Sequence, residues 1–348
     1  MKKTLIAVLA LAAIAACNKT EVVDQPVGNA IAFDNAFVDN ATKSVNDPSY
    51  TNTNMFDDFV VYGYVEGAEL FPGTVVSKNI TNEALTKTDW KYEGTKYWIA
   101  GAKYNFNAIA PSTDANWTKT EASAAGVKLS LTNNGTQDVL YAKTAELEGK
   151  AASNSPVEFS FRHILSKVKF SFVNGYNATN ATIKVKDIKI NNAYKTGNVA
   201  LDASNTAWTA QDATLELDFG MATDDESTAD VKENVEVAYA YNATYESQNE
   251  RFLIPGAIAG TEATETAAAI PAGYKVTFTV ELLVSGTVVK TYNHTTYVAL
   301  APVAGQAYDI TATITAENID PEHAQEPIEF TVAALPGWGT TNNVNQTL

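Results

Sequence analysis

The chain has 348 residues, 45% of them hydrophobic and 18% charged, with 24 Lys and Arg against 40 Asp and Glu and a formal net charge of −16. The apolar fraction excludes a disordered chain, and the length suffices for about two domains that each bury a core. So acidic a surface repels phosphate backbones, which sets nucleic acid aside as a partner, and a single cysteine, Cys17, excludes a disulfide framework and any Cys-based zinc site.

The chain opens with Lys2 and Lys3, followed by an unbroken apolar run, Leu5–Ala16. Twelve residues are too few to span a bilayer, which takes about 20, and fit the apolar region of a signal peptide, here residues 1–16. The run ends Ile14-Ala15-Ala16-Cys17, which resembles a bacterial lipobox. In that motif the cysteine is acylated and becomes the mature N-terminus, so Cys17 is the expected lipidation site and membrane lipid its partner. Residues 17–29, polar and containing Pro26 and Gly28, read as a tether between the lipid and the fold.

Beyond the tether the dominant signal has period 2. Ala30–Val38 carries apolar Ile31, Phe33 and Phe37, with Asp34 and Asn35 interrupting the alternation. Strands are expected at 59–65, 97–100, 104–110, 127–131 and 139–142. Val157, Phe159 and Phe161 alternate with Glu158, Ser160 and Arg162, and Val168, Phe170 and Phe172 with Lys167, Lys169 and Ser171. Further strands are expected around 183–185 and at 214–219 and 235–241. Tyr274–Leu282 alternates perfectly, and Ser285-Gly286 then predicts a hairpin into Thr287–Tyr292. Strands at 308–315 and 328–333 complete the series, and Ala257–Ile270, which lacks a 3.6-residue period, reads as a loop. Many short strands with one polar face predict an all-β protein of antiparallel β-sandwiches. The small, polar run Gly149–Ser155 is the expected boundary, giving domains of residues 30–150 and 151–348.

A search for reaction chemistry returns little, and the protein is read as no enzyme, with no cofactor and no metal. His163 continues the apolar parity of its strand and is expected to be a hydrogen-bonded core residue; His294 and His323 have no partner at metal-ligand spacing. Asp224-Asp225-Glu226 lacks the spacing of a calcium loop. Trp90, Tyr92, Tyr97 and Trp98 admit two roles, a sugar-stacking platform or the core and rim of a sandwich. The core role is preferred, because 97–100 leads into another strand.

Several segments together resemble the fimbrillin family of Bacteroidota, the lipoprotein subunits of type V pili. They are Tyr97-Trp98 followed by Tyr104-Asn105-Phe106-Asn107-Ala108-Ile109-Ala110-Pro111, then Gln137-Asp138-Val139-Leu140-Tyr141-Ala142, then Phe161-Arg162-His163-Ile164-Leu165-Ser166-Lys167-Val168, and Phe330-Thr331-Val332 before Gly337-Trp338. The resemblance implies two tandem transthyretin-like sandwiches and a route of assembly. A lipidated precursor is carried to the outer membrane, and a trypsin-like protease cuts after a basic residue. The first strand leaves, and a strand from another fimbrial subunit, of the same or a related kind, enters the vacated groove. Carried onto this chain, the cut falls between Lys43 and Ser44, Lys43 being the one basic residue between Lys19 and Lys78. The well-known members are cut after Arg; this chain has only Arg162 and Arg251, so either Lys is accepted or the subunit stays uncut as an anchor. The released strand is about 30–43, with Ile31, Phe33 and Phe37, and the donor tail lies within 328–348, with Trp338, Val344 and Leu348. The implied role is adhesion at the cell surface, with a host protein or glycan as a further partner. The rival reading is a non-polymerising surface lipoprotein that binds carbohydrate through Trp90, Trp98 or Trp117.

Overall fold

Alternation of apolar and polar side chains governs most of the chain, and in the structure, a computed structural model, it produces strands almost throughout. The structure describes residues 29–38, 57–78, 90–112, 116–151, 154–223, 241–264, 266–319 and 328–335. The strands are β1 (Phe33–Val38), β2 (Asp58–Val65), β3 (Ala68–Lys78), β4 (Trp90–Lys91), β5 (Lys103–Ala110), β6 (Trp117–Ala122), β7 (Val127–Thr132), β8 (Leu140–Lys143), β9 (Leu147–Glu148) and β10 (Val157–His163). They continue with β11 (Ser166–Asn174), β12 (Ala181–Leu201), β13 (Thr206–Gly220), β14 (Ala222–Thr223), β15 (Thr244–Ser247), β16 (Arg251–Leu253), β17 (Tyr274–Val284), β18 (Thr287–Val298), β19 (Ala307–Ile314) and β20 (Phe330–Leu335). One helical turn, α1 (Ala316–Ile319), precedes the last of them.

Three sheets result. The first runs β1-β10-β8-β5-β2-β3-β4 with β9 on β5, the second β14-β15-β11-β19-β20 with β16 on β11, and the third β18-β17-β12-β7-β6 with β13 on β12. Pairing is antiparallel, as expected, apart from two parallel pairs, β1 with β10 and β11 with β19. β12 is the spine of the third sheet. One of its sides carries β13, and the other carries β17 along Ala181–Ile190 and then β7 along Thr196–Leu201.

The packing follows from this sharing. Phe170, Phe172, Ile183, Val185, Phe278 and Ile310 fill the space between the second sheet and one end of the third. Val60, Tyr62, Ile109 and Tyr141 of the first sheet meet Leu129, Leu131, Val199 and Leu201 at the other end of the third. The opposite face of the first sheet holds a separate aromatic core, with Ile31, Phe33, Phe59, Phe71, Trp90, Trp98, Phe106 and Phe159.

The expected alternation at 274–282 is present, and the hairpin after it turns at Ser285 and Gly286, both in the left-handed region (φ 51° and 79°) that a two-residue turn requires. The described residues of 257–270 form a loop with one bridge among them, Thr261 to Ile270. The expected strand at 97–100 is instead coil with one bridge, Ala30 to Tyr97, because its neighbours turn at Gly101. The hairpin of β6 and β7, from the first half of the sequence, pairs with β12, while β10, past the boundary expected at 149–155, completes the first sheet. The 235–241 strand falls outside the described residues except for Tyr241.

Candidate functional site

The segment 29–38 is an edge element pinned along both of its margins. On one side it lies antiparallel to residues 96–98: Ile31 N donates to Lys96 O (2.8 Å) and Trp98 N donates to Asn29 O (3.0 Å). On the other, Val157 N donates to Ala32 O (2.7 Å), and β1 then follows β10 in parallel, Phe33 opposite Val157 and Phe37 opposite Ser160, with a bulge between Asp34 and Phe37. The Tyr92 hydroxyl closes the arrangement from above, donating to Ile31 O (2.7 Å) and accepting from Lys96 N (3.2 Å). Burial pushes the Tyr92 phenol above its ordinary pKa, so it remains a neutral donor at physiological pH.

Side chains alternate along the segment. Asn29, Ile31 and Phe33 point inward and are buried, whereas Ala32 is exposed. Phe33 sits inside a cage of rings. It stacks on Phe159 at 5.8 Å and meets Tyr92 (5.4 Å), Phe71 (5.6 Å), Phe106 (6.0 Å) and Phe59 (6.3 Å) edge to face. These are geometries aromatic pairs prefer. At the start of the segment the bonding is incomplete. Asn29 Nδ2 donates to Trp98 O and Lys150 O (both 3.2 Å), but Asn29 Oδ1 and Trp98 Nε1 are buried without a hydrogen bond, each at a cost of about 1–3 kcal/mol.

Of the residues expected to leave with the first strand, the structure thus places Ile31 and Phe33 in one buried site; Phe37 contributes backbone pairing. Asn29, read from sequence as the end of a tether, is instead buried and bonded to the fold, because its amide finds two backbone carbonyls there. Sequence alone does not mark Phe59, Phe71, Phe106 and Phe159 as site residues, since only the sheet brings four distant strands to one point. Cys17, Lys43, Ser44, Trp338, Val344 and Leu348 lie outside the described residues, as do Asp224-Asp225-Glu226 and His323.

The aromatic platform is core. Trp90 and Trp98 are buried, Tyr92 packs against the same cluster, and Tyr97 alone is exposed. Trp117 is partly buried against the core shared by the first and third sheets and donates its indole N–H to Pro111 O (3.1 Å). His163, buried, is hydrogen-bonded to the Asp138 carboxylate. His294 stacks on Phe278 at 5.2 Å, and burial lowers its pKa. Among the described residues no group of three or more His, Cys, Asp or Glu is placed to hold a metal ion, and no helix is long and apolar enough to cross a membrane.

Comparison with known proteins bears on the fold first. A fimbrial protein from Bacteroides vulgatus shares it with a TM-score of 0.52 at 16% identity, over 89% of this chain and 100% of the other. Two further structures align over comparable lengths at lower scores. One is a putative cell adhesion protein from Bacteroides uniformis (TM-score 0.46, 16% identity, 90% of this chain and 99% of the other). The other is a fimbrial assembly protein from Parabacteroides distasonis (TM-score 0.43, 10% identity, 87% and 95%). No curated protein matches the sequence significantly. The family model described as fimbrillin-like matches residues 42–334, most of the length, and the chain belongs to that family.

Proposed function

We propose that this protein is a structural, non-enzymatic subunit of a cell-surface fimbria with a role in adhesion, made as a precursor lipidated at Cys17 and held in the outer membrane. A trypsin-like protease cuts after Lys43, residues up to that point depart, and a strand from another fimbrial subunit takes their place beside β10. The incoming strand comes from the C-terminal region 328–348 of the neighbour, with Trp338, Val344 and Leu348 in its tail; a host protein or glycan is the partner at the cell surface.

The observation that carries this reading is the seat of residues 29–38. They form an edge element lying just N-terminal to Lys43, yet they supply the centre of an aromatic core. Removing them uncovers an apolar groove and the unpaired margin of β10, a state that a new strand relieves by β-augmentation. Burial of Ile31 and Phe33 alone is worth roughly 3–6 kcal/mol, which disfavours an empty groove. The unbonded Asn29 Oδ1 and Trp98 Nε1 lower the cost of departure. The rival carbohydrate-binding reading has less support: the indoles of Trp90 and Trp98 are buried, and Trp117, partly buried, packs against the core with its N–H taken by Pro111 O.

Mapping the N-terminus of protein sheared from cells tests the proposal. A start at Ser44 in heat-labile multimers is expected. A start at acylated Cys17 in all surface protein, with no multimers, overturns it.

A further inference from the structure

We propose that the ring cage around Phe33 is the point at which the groove reads an incoming strand, and that the strand it accepts carries an aliphatic residue followed two places later by an aromatic one. The inference rests on the strand-exchange reading above and specifies its partner: within the donor region 328–348 this spacing occurs once, at Ile328 and Phe330, and not at Trp338, Val344 or Leu348. The backbone bonds of the segment, through Ile31 N, Asn29 O and Ala32 O, are indifferent to side chain and hold any extended peptide. Ala32 faces solvent, so it reads nothing. Discrimination therefore falls to the inward positions.

The two apolar inward positions differ in what surrounds them. Ile31 is buried, its carbonyl bonded to Tyr92. Phe33 is enclosed by rings that also pack on one another: Phe59 on Phe159 at 5.5 Å, Phe71 on Phe106 at 5.9 Å and on Tyr92 at 5.4 Å. Rings locked from four strands and one loop cannot collapse inward, so a small side chain at this position leaves a void whose walls lose their contacts. A polar one meets no hydrogen-bonding partner among the rings. Only a flat ring of similar size restores both the stacked contact with Phe159 and the edge contacts. The parallel register of β1 on β10 fixes the direction in which such a strand must lie.

A peptide-capture experiment on the full chain decides the matter. A site for a sequence-specific protease is inserted after Lys43, the chain is cut, and labelled peptides spanning Asn29–Val38 are added in excess. Gel filtration then reads how much label stays with the protein. The native peptide and its Ala32→Gln variant are expected to be retained, and the Phe33→Ala variant at least tenfold less. Equal retention of the Phe33→Ala and native peptides overturns the inference while leaving strand exchange standing. If no peptide enters and the 1–43 fragment stays bound, strand release itself fails, and the inference with it.

Discussion

Gly63 lies on the same face of β2 as Phe59 and Val61, and a Cβ there would stand 2.6 Å from Phe71 Cδ2 and 2.9 Å from Phe106 Cδ1. The residue is glycine because two rings of the Phe33 cage occupy the space a side chain needs. Gly63→Ala is expected to destabilise the fold by about 1–3 kcal/mol through overpacking, read as a lower urea midpoint with unchanged slope; an unaltered midpoint would show that the rings move aside freely. A second residue, Asp202, sits in the turn between β12 and β13. Its carboxyl is held down at about 2 by hydrogen bonds from Ser204 N, then the Asn205 side chain and Asn205 N. Because the folded value lies below the ordinary 3.8, the unfolded chain takes up the proton first. The stability this carboxylate contributes is complete above about pH 4 and lost as pH falls toward 2. A carboxyl-resolved NMR titration should give Asp202 a midpoint near 2, and a midpoint at the ordinary value refutes the assignment.

Elements were legible in proportion to the regularity of their alternation. Tyr274–Leu282 and Val157–His163 each keep one parity, so a sheet with one buried face can be read from them directly. β3 escaped because Pro72 and Gly73 break its pattern; they fall where the pairing with β2 shifts register, a bulge that lets an edge-side strand carry a proline. Of β12 only the stretch around 183–185 is legible, since the buried parity resets twice along it, past Lys186 and past Ile190, at irregularities in its pairing. Ile31 and Phe33 were visible as an apolar pair, but the cage was not, since its rings are contributed by β2, β3, β5 and β10 across the sheet. The β17–β18 turn offers a test at this scale. Ser285 holds a left-handed conformation that costs most side chains roughly 1–2 kcal/mol and asparagine less. Ser285→Asn should therefore raise thermal stability by a fraction of that amount, whereas a loss on calorimetry would contradict the turn assignment.

At the scale of the molecule, the two sandwiches have one sheet in common. β12 contributes Ile183 and Val185 to one core and Val199 and Leu201 to another. Polar groups cross the same junction. The buried Tyr141 hydroxyl donates to Asn107 Oδ1 (2.7 Å), and Asn107 Nδ2 in turn donates to Ser123 O (3.0 Å). Arg162, on β10, donates to the carbonyls of Asp202, Ala203 and Asn205 and so grips the β12–β13 turn. Neither sandwich can lose its share of β12 without opening the other, so calorimetry should show one cooperative transition with matching calorimetric and van't Hoff enthalpies. Two resolved transitions would mean that the sandwiches unfold independently.

The length of β12 has a mechanical side. Its 21 residues extend about 65 Å at strand rise, far enough to run beneath both sandwiches. Force passing from one sandwich to the other along the third sheet therefore crosses one covalent backbone, braced on both margins by its ladders, where domains joined by a linker would give way at the joint.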